Sequence, residues 1–155
     1  MSTVSTLARS YQALRPGVLQ RLLELRSTLD PSLGRLDDAN ARAQIGAVLE
    51  HLGNFIATGD LGLHRAFLHT FLAMRAAEAQ SPASVLAMLV AIGDTAAQVA
   101  QEQADHLADG GELSLLLTRV TGHTARAIND LIAEELARRA GHHAELVRRA
   151  REGRR

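Results

Sequence analysis

Apolar residues return every three or four positions along nearly the whole chain, the period that places side chains on one face of an α-helix. The longest such stretch runs from Glu112 to about Arg151 without a proline. In it Leu113, Leu117, Val120, Thr124, Ile128 and Leu131 recur, followed by Leu136, Ala140 and Val147. At 1.5 Å per residue a helix of this length extends ~60 Å, about twice what a domain of this size needs to cross its own core. Its far end must project, meet a second chain or bend back at Gly141.

The same period divides the remainder into shorter helices. Thr3 to Leu14 carries Val4, Leu7, Tyr11 and Leu14, with Ser2 or Thr3 as cap, and Arg15-Pro16-Gly17 interrupts it. Pro16 suits the first turn of a second helix over residues 16–29, with Val18, Leu22, Leu25 and Leu29 on its stripe. A loop at Ser32–Asp37 leads to Asp37 or Asp38 as the cap of a helix to Ala57, whose buried stripe is Ala41, Ile45, Val48, Leu49, Leu52, Phe55 and Ile56. His51 falls on another face of that helix and is expected in solvent. Thr58-Gly59-Asp60 stops one helix and caps the next, which runs from Leu61 to Ala79 and presents Leu63, Phe67, Phe71 and Met74. The three phenylalanines all fall in this hairpin and are expected to form the densest part of the core. Ser81 as cap and Pro82 at the first helical position start a helix through Val85, Leu86, Leu89, Ile92, Ala96 and Val99 to about Leu107. Within it Asp94 must face water, an arginine or a cavity, because a buried unpaired carboxylate costs several kcal/mol. Asp109-Gly110-Gly111 then closes this segment. The expectation is an all-α fold of five to six helices, globin-like or an antiparallel bundle, with a long C-terminal helix: a helical domain over 1–140 and a basic helical extension over 141–155.

Composition agrees with helix and narrows the chemistry. A chain of 155 residues with 3% aromatics, three prolines and no cysteine is long enough for one core, and disulfides and thiolate chemistry are excluded. No run of ~18 apolar residues emerges to span a bilayer, and Met1–Ser10 lacks the basic and apolar parts of a signal peptide, so a cytoplasmic protein is expected. Net charge is zero but uneven: +5 over residues 138–155, with Arg148 and Arg149 among its seven arginines, against −5 over the first 137. No aromatic residue accompanies those arginines to stack on bases, so the tail reads as cations at a helix C-terminus rather than a nucleic-acid site.

The seven histidines are the remaining chemical lead. His64 and His69 are five apart and point ~140° away from each other on a helix, so they cannot share a metal. No His-Glu-x-x-His or repeated Glu-x-x-His occurs. A single axial histidine for haem has His64, His106 and His123 as candidates, and Asp94 marks a second place for a small apolar ligand, between the Phe-rich hairpin and the Pro82 helix. No set of residues for nucleophilic or metal catalysis is present in the pattern.

The stretch from Ile45 to Leu86 carries an apolar helix, Thr58-Gly59-Asp60, a helix ending Arg75-Ala76-Ala77-Glu78, then Ser81-Pro82 and Val85-Leu86. It resembles the N-terminal helical sensor domains of stressosome RsbR-like proteins, in which a Gly-Asp hairpin and a similar Arg-Ala to Pro junction recur. The resemblance implies a globin-like helical fold without haem, dimeric and bacterial, whose long last helix passes a signal to an output domain. This chain departs from the pattern in having Ala79-Gln80 where a glycine stands, and in lacking an output domain of the STAS kind within its 155 residues. The expected function is therefore a non-enzymatic signalling or adaptor domain acting through protein–protein contacts. It would homodimerise through its first and last helices, with Leu117, Val120, Ile128, Leu131, Leu136, Arg148 and Arg149 at the contact.

Overall fold

In a computed structural model, which describes residues 3–107 and 109–153, the described residues form six α-helices and no strand. They are α1 (Val4–Leu29), α2 (Pro31–Gly34), α3 (Asp38–Thr58), α4 (Leu61–Ala77), α5 (Pro82–Glu102) and α6 (Gly110–Glu152). Ser2 as a cap, and Arg154 and Arg155 of the basic tail, lie outside the described residues.

Local signals set most helix ends. Thr3, Asp37, Asp60 and Ser81 each accept a backbone N–H of the first turn, and Pro82 occupies the position where a missing N–H costs nothing. Gly59 ends α3 in the left-handed conformation, φ 65°. The α3 stripe of Ala41, Ile45, Val48, Leu49, Leu52, Phe55 and Ile56 is buried throughout.

Pro16 does not divide α1. The helix continues through it because Tyr11, Leu14, Val18 and Leu22 form one buried stripe across the break, and the exposed Gln12 and Pro16 leave the orphaned carbonyl of Gln12 to water. Pro31 to Gly34, expected as loop, makes the single turn α2, capped by the Asp30 carboxylate, which accepts from the Ser32 and Leu33 backbone N–H groups. Helix α5 ends at Glu102 rather than Leu107, and α6 begins at Gly110. Gly110 is therefore a packing residue, not a breaker: a Cβ there would sit 2.6 Å from Ala104 Cα and 2.9 Å from the Ala100 carbonyl oxygen.

Helix α5 is the centre of the molecule, buried along α6 on one side and α1 on another. A helix packed on several faces must be apolar around most of its circumference. For that reason α5 carries an 18-residue window of mean hydropathy 1.6, long and apolar enough by composition to cross a membrane, which corrects the expectation that no such run exists. Asp94 points to solvent on its one open face. Close approach of α5 and α6 depends on Gly93, where a Cβ would lie 2.1 Å from Thr121 Oγ1.

Helix α4 is turned relative to expectation. Leu63 and Met74 are exposed, while His64, Leu68, Phe71 and Arg75 face inward. Helix α6 runs unbroken through Gly141, around which there is open space, so the chain neither bends nor stops there. Its last fully buried residue is Ile128, and Leu131 and Ile132 are the last to pack on the core. The ~30 Å beyond them project from the bundle.

Candidate functional site

The polar groups that converge inside this apolar fold are His51 of α3, His64 of α4 and Thr124 of α6. His64 is 2% exposed. Its Nδ1 lies 2.7 Å from His51 Nε2, and its Nε2 lies 3.0 Å from Thr124 Oγ1. Thr124 Oγ1 in turn donates to the Val120 carbonyl, 2.9 Å away, one turn back along α6.

This chain of contacts fixes the proton positions. The Thr124 hydroxyl hydrogen is committed to Val120, so His64 Nε2 must donate to Thr124 Oγ1. Its Nδ1 is then an acceptor, and His51 donates through Nε2–H. Both rings are neutral in this arrangement, and His51 Nδ1 is left as the acceptor at the open end. Burial, and secondarily the neighbouring His64, lower His51 from its ordinary 6.5 to about 4. Burial, and secondarily His123, lower His64 as well. The imidazole planes are within 11° of parallel. With nitrogens 2.7 Å apart they meet edge to edge, the orientation a direct hydrogen bond needs. Phe67 stacks on His51 at 3.9 Å and 6°, and Phe55 tilts against His64 at 4.9 Å, so the phenylalanines of the hairpin wall this pair.

The space beside the pair is small. A cavity of about 10 Å³ lies among Leu52, His64, Leu89, Gly93, Thr121 and Thr124, at the lower limit for one water molecule. His64 has both ring nitrogens engaged and faces a cavity far too small for a macrocycle, so these residues do not fit haem. The site can accept a proton at His51 and carry polar contact across three helices.

The other anticipated residues are not brought together here. His106 is exposed in the turn after α5, and Asp94 is exposed on α5. His123 is exposed on α6, with its Nδ1 3.0 Å from Arg126 Nη2. His51, expected in solvent, is half-buried, which is a correction: its helix face is covered by α4 through Phe67.

The anticipated contact residues of α6 separate into two groups. Leu117, Val120 and Ile128 are 0–1% exposed in the chain's own core and have no surface to offer a partner. Leu131 is half-buried, and Leu136 is 61% exposed. Beyond them Ile132, Leu136, Ala140, Ala144 and Val147 follow at three- or four-residue spacing, with Leu146 beside them. On the opposite side Arg148 pairs with Glu145 and Glu152, and Arg149 with Glu145, while Glu135 holds Arg138 and Arg139. A cleft of about 630 Å³ opens at the root of this projecting segment, between Leu72 and Ala76 of α4, Pro82, and Leu131 to Arg139 of α6.

No protein-family model, curated protein or solved structure matches the chain.

Proposed function

We propose that this chain is a non-enzymatic signalling or adaptor domain that homodimerises and acts through protein–protein contacts, with the projecting half of α6 as its contact element. The observation that supports this reading is the uncovered apolar stripe of α6. Leu136, Leu146 and Val147 are 61%, 50% and 38% exposed on the part of α6 that lies beyond its last core residues, Leu131 and Ile132. A helix this long outside a core is held by ion pairs and awaits apolar cover. Val4 and Leu25 on α1, 56% and 43% exposed, extend the apolar surface to the first helix.

Charge order along α6 favours a second copy as the cover. Asp130, Glu134 and Glu135 precede Arg138 and Arg139, and Arg148, Arg149 and Arg151 follow. Two such helices laid antiparallel set the acidic stretch of each against the basic stretch of the other, with the alanine-rich stripe between them. The resemblance to stressosome sensor domains, in which the last helix carries the signal, points the same way.

Sedimentation equilibrium tests the reading. The full chain is expected to be a dimer at micromolar concentration, and removal of residues 141–155, or Leu136→Glu with Val147→Glu, is expected to give a monomer that still unfolds cooperatively, its midpoint no longer dependent on protein concentration. A full chain that stays monomeric at tens of micromolar, or a truncation that dimerises equally well, overturns it.

A further inference from the structure

A second groove, of about 440 Å³, runs between α3 and α4 on the side away from the α6 projection and is walled by Leu36, Phe67, Phe71 and Met74. Two polar side chains with buried atoms that make no hydrogen bond line it. Arg75 is 5% exposed, and its Nε and Nη1 donate no hydrogen bond. Glu78 Oε2 stands 3.0 Å from Nη1 and balances the charge, but it is out of line with the N–H bonds and its side chain is 54% exposed. The Phe71 ring, 5.3 Å from Arg75 Cζ, supplies the remaining attraction. Gln44, facing from α3, has its buried Oε1 without a donor. Buried guanidinium and amide groups left this way cost free energy that a folded chain ordinarily recovers through a partner.

From this arrangement we infer that the α3–α4 groove binds an amphipathic carboxylate, with its head on Arg75 and its apolar body along Phe71, Phe67 and Met74. The ligand's carboxylate takes the place of Glu78, one negative charge for one, so the balance around the guanidinium is kept. A phosphate dianion would leave an excess negative charge in a half-buried groove. The Gln44 carboxamide, turned by half a rotation, donates to the second carboxylate oxygen. Met74, flexible and 54% exposed, adapts to the length of the apolar body. The groove is within the volume range of small-molecule sites. It is separate from the α6 contact surface, so the two readings stand or fall independently.

Titration of the full chain with octanoate, followed by calorimetry or amide chemical shifts, decides the matter. Octanoate is expected to saturate one site per chain with a dissociation constant below about 1 mM, and octanol, which lacks the charge, to bind at least roughly tenfold more weakly. Arg75→Met is expected to lose at least roughly tenfold in octanoate affinity with no change for octanol. Glu78→Gln removes the competing carboxylate and is expected to tighten octanoate several-fold, and far-ultraviolet circular dichroism of the same samples checks that the variant is folded without its buried charge balance. The inference is overturned by equal affinity for octanoate and octanol, by unchanged octanoate binding in Arg75→Met, by no gain in Glu78→Gln, or by absence of saturable binding.

Discussion

Acidification is the perturbation to which the His51–His64 pair should respond most directly. Both rings are neutral in the folded chain, and His51 lies at about 4 against an ordinary 6.5. In the unfolded chain both titrate near 6.5. Below that value the unfolded state therefore binds more protons than the folded state, so stability is full above pH 6.5 and is lost as pH falls toward 4. At 1.36 kcal/mol per unit, the His51 displacement bounds its share at about 3 kcal/mol. Half-exposure to solvent screens that figure to about 1–2 kcal/mol. His64 is displaced in the same direction and adds to the loss.

Urea unfolding followed by far-ultraviolet circular dichroism, repeated between about pH 7 and pH 5, reads this directly. Carboxylates do not obscure the window. Glu135 is held at about 2 by hydrogen bonds from Arg138 and Arg139, and Glu145 and Asp37 are lowered too, so their contribution is lost from the ordinary carboxylate range downward, mostly below the window. His51→Gln keeps a donor for His64 Nδ1 but cannot titrate, and is expected to flatten the profile by the His51 share. A wild-type midpoint that does not fall between about pH 7 and pH 5, or a fall that His51→Gln leaves intact, would refute the neutral-pair argument.

Two substitutions test packing and backbone. Gly93→Ala drives a methyl into Thr121 and is expected to cost about 2–3 kcal/mol in the same unfolding assay. Thr121→Ala in the same chain should recover part of that cost, and strict additivity of the two would count against the contact. Ala79 sits at φ 61° where the Gln80 and Ala79 N–H groups close the end of α4 onto the Arg75 and Ala76 carbonyls, a position that suits glycine. Ala79→Gly is expected to stabilise the chain by roughly 0.5–1 kcal/mol, or a few degrees at the thermal midpoint. A loss of stability would show that the left-handed strain is not what Ala79 contributes.

What the sequence revealed followed the range of the interaction. The caps at Asp60 and Ser81 and the stop at Gly59 act within four residues, and the α3 stripe from Ala41 to Ile56 repeats on one helix, so all were legible. Pro16 misled because its local cost of about 3 kcal/mol is outweighed by burial on both sides of it, which only the packed fold displays. The face of α4 misled because hydrophobicity places Leu63 and Met74 inside and gives no sign that Arg75 is buried. In the fold Leu63 and Met74 face solvent and His64 and Arg75 are buried, since Thr124 and His51 satisfy His64, and Phe71 covers Arg75. The pair itself joins residues 13 apart on facing helices and a threonine 60 positions further on, beyond the reach of any single-helix spacing. The one signal available was Thr124 standing as a polar residue on the apolar stripe of α6.

Helices α5 and α4 are held to α6 by different kinds of contact. Helix α5 lies against α6 along an apolar seam tight enough to require Gly93, whereas α4 meets α6 through His64–Thr124 and the exposed Arg65–Glu134 pair. Leu61, Leu63 and Met74 of α4 contribute little to the core because they face solvent. Leu68 and Phe71 anchor α4 in the core, and its polar attachment to α6 is the part that loosens when the imidazoles charge. The root of the projecting half of α6, at Leu131 and Ile132, lies against the same side of α4 as Leu72 and Ala76. Protonation of His51 and His64 would thus be felt where the long helix leaves the bundle, and not in the α5–α6 seam that anchors its first half.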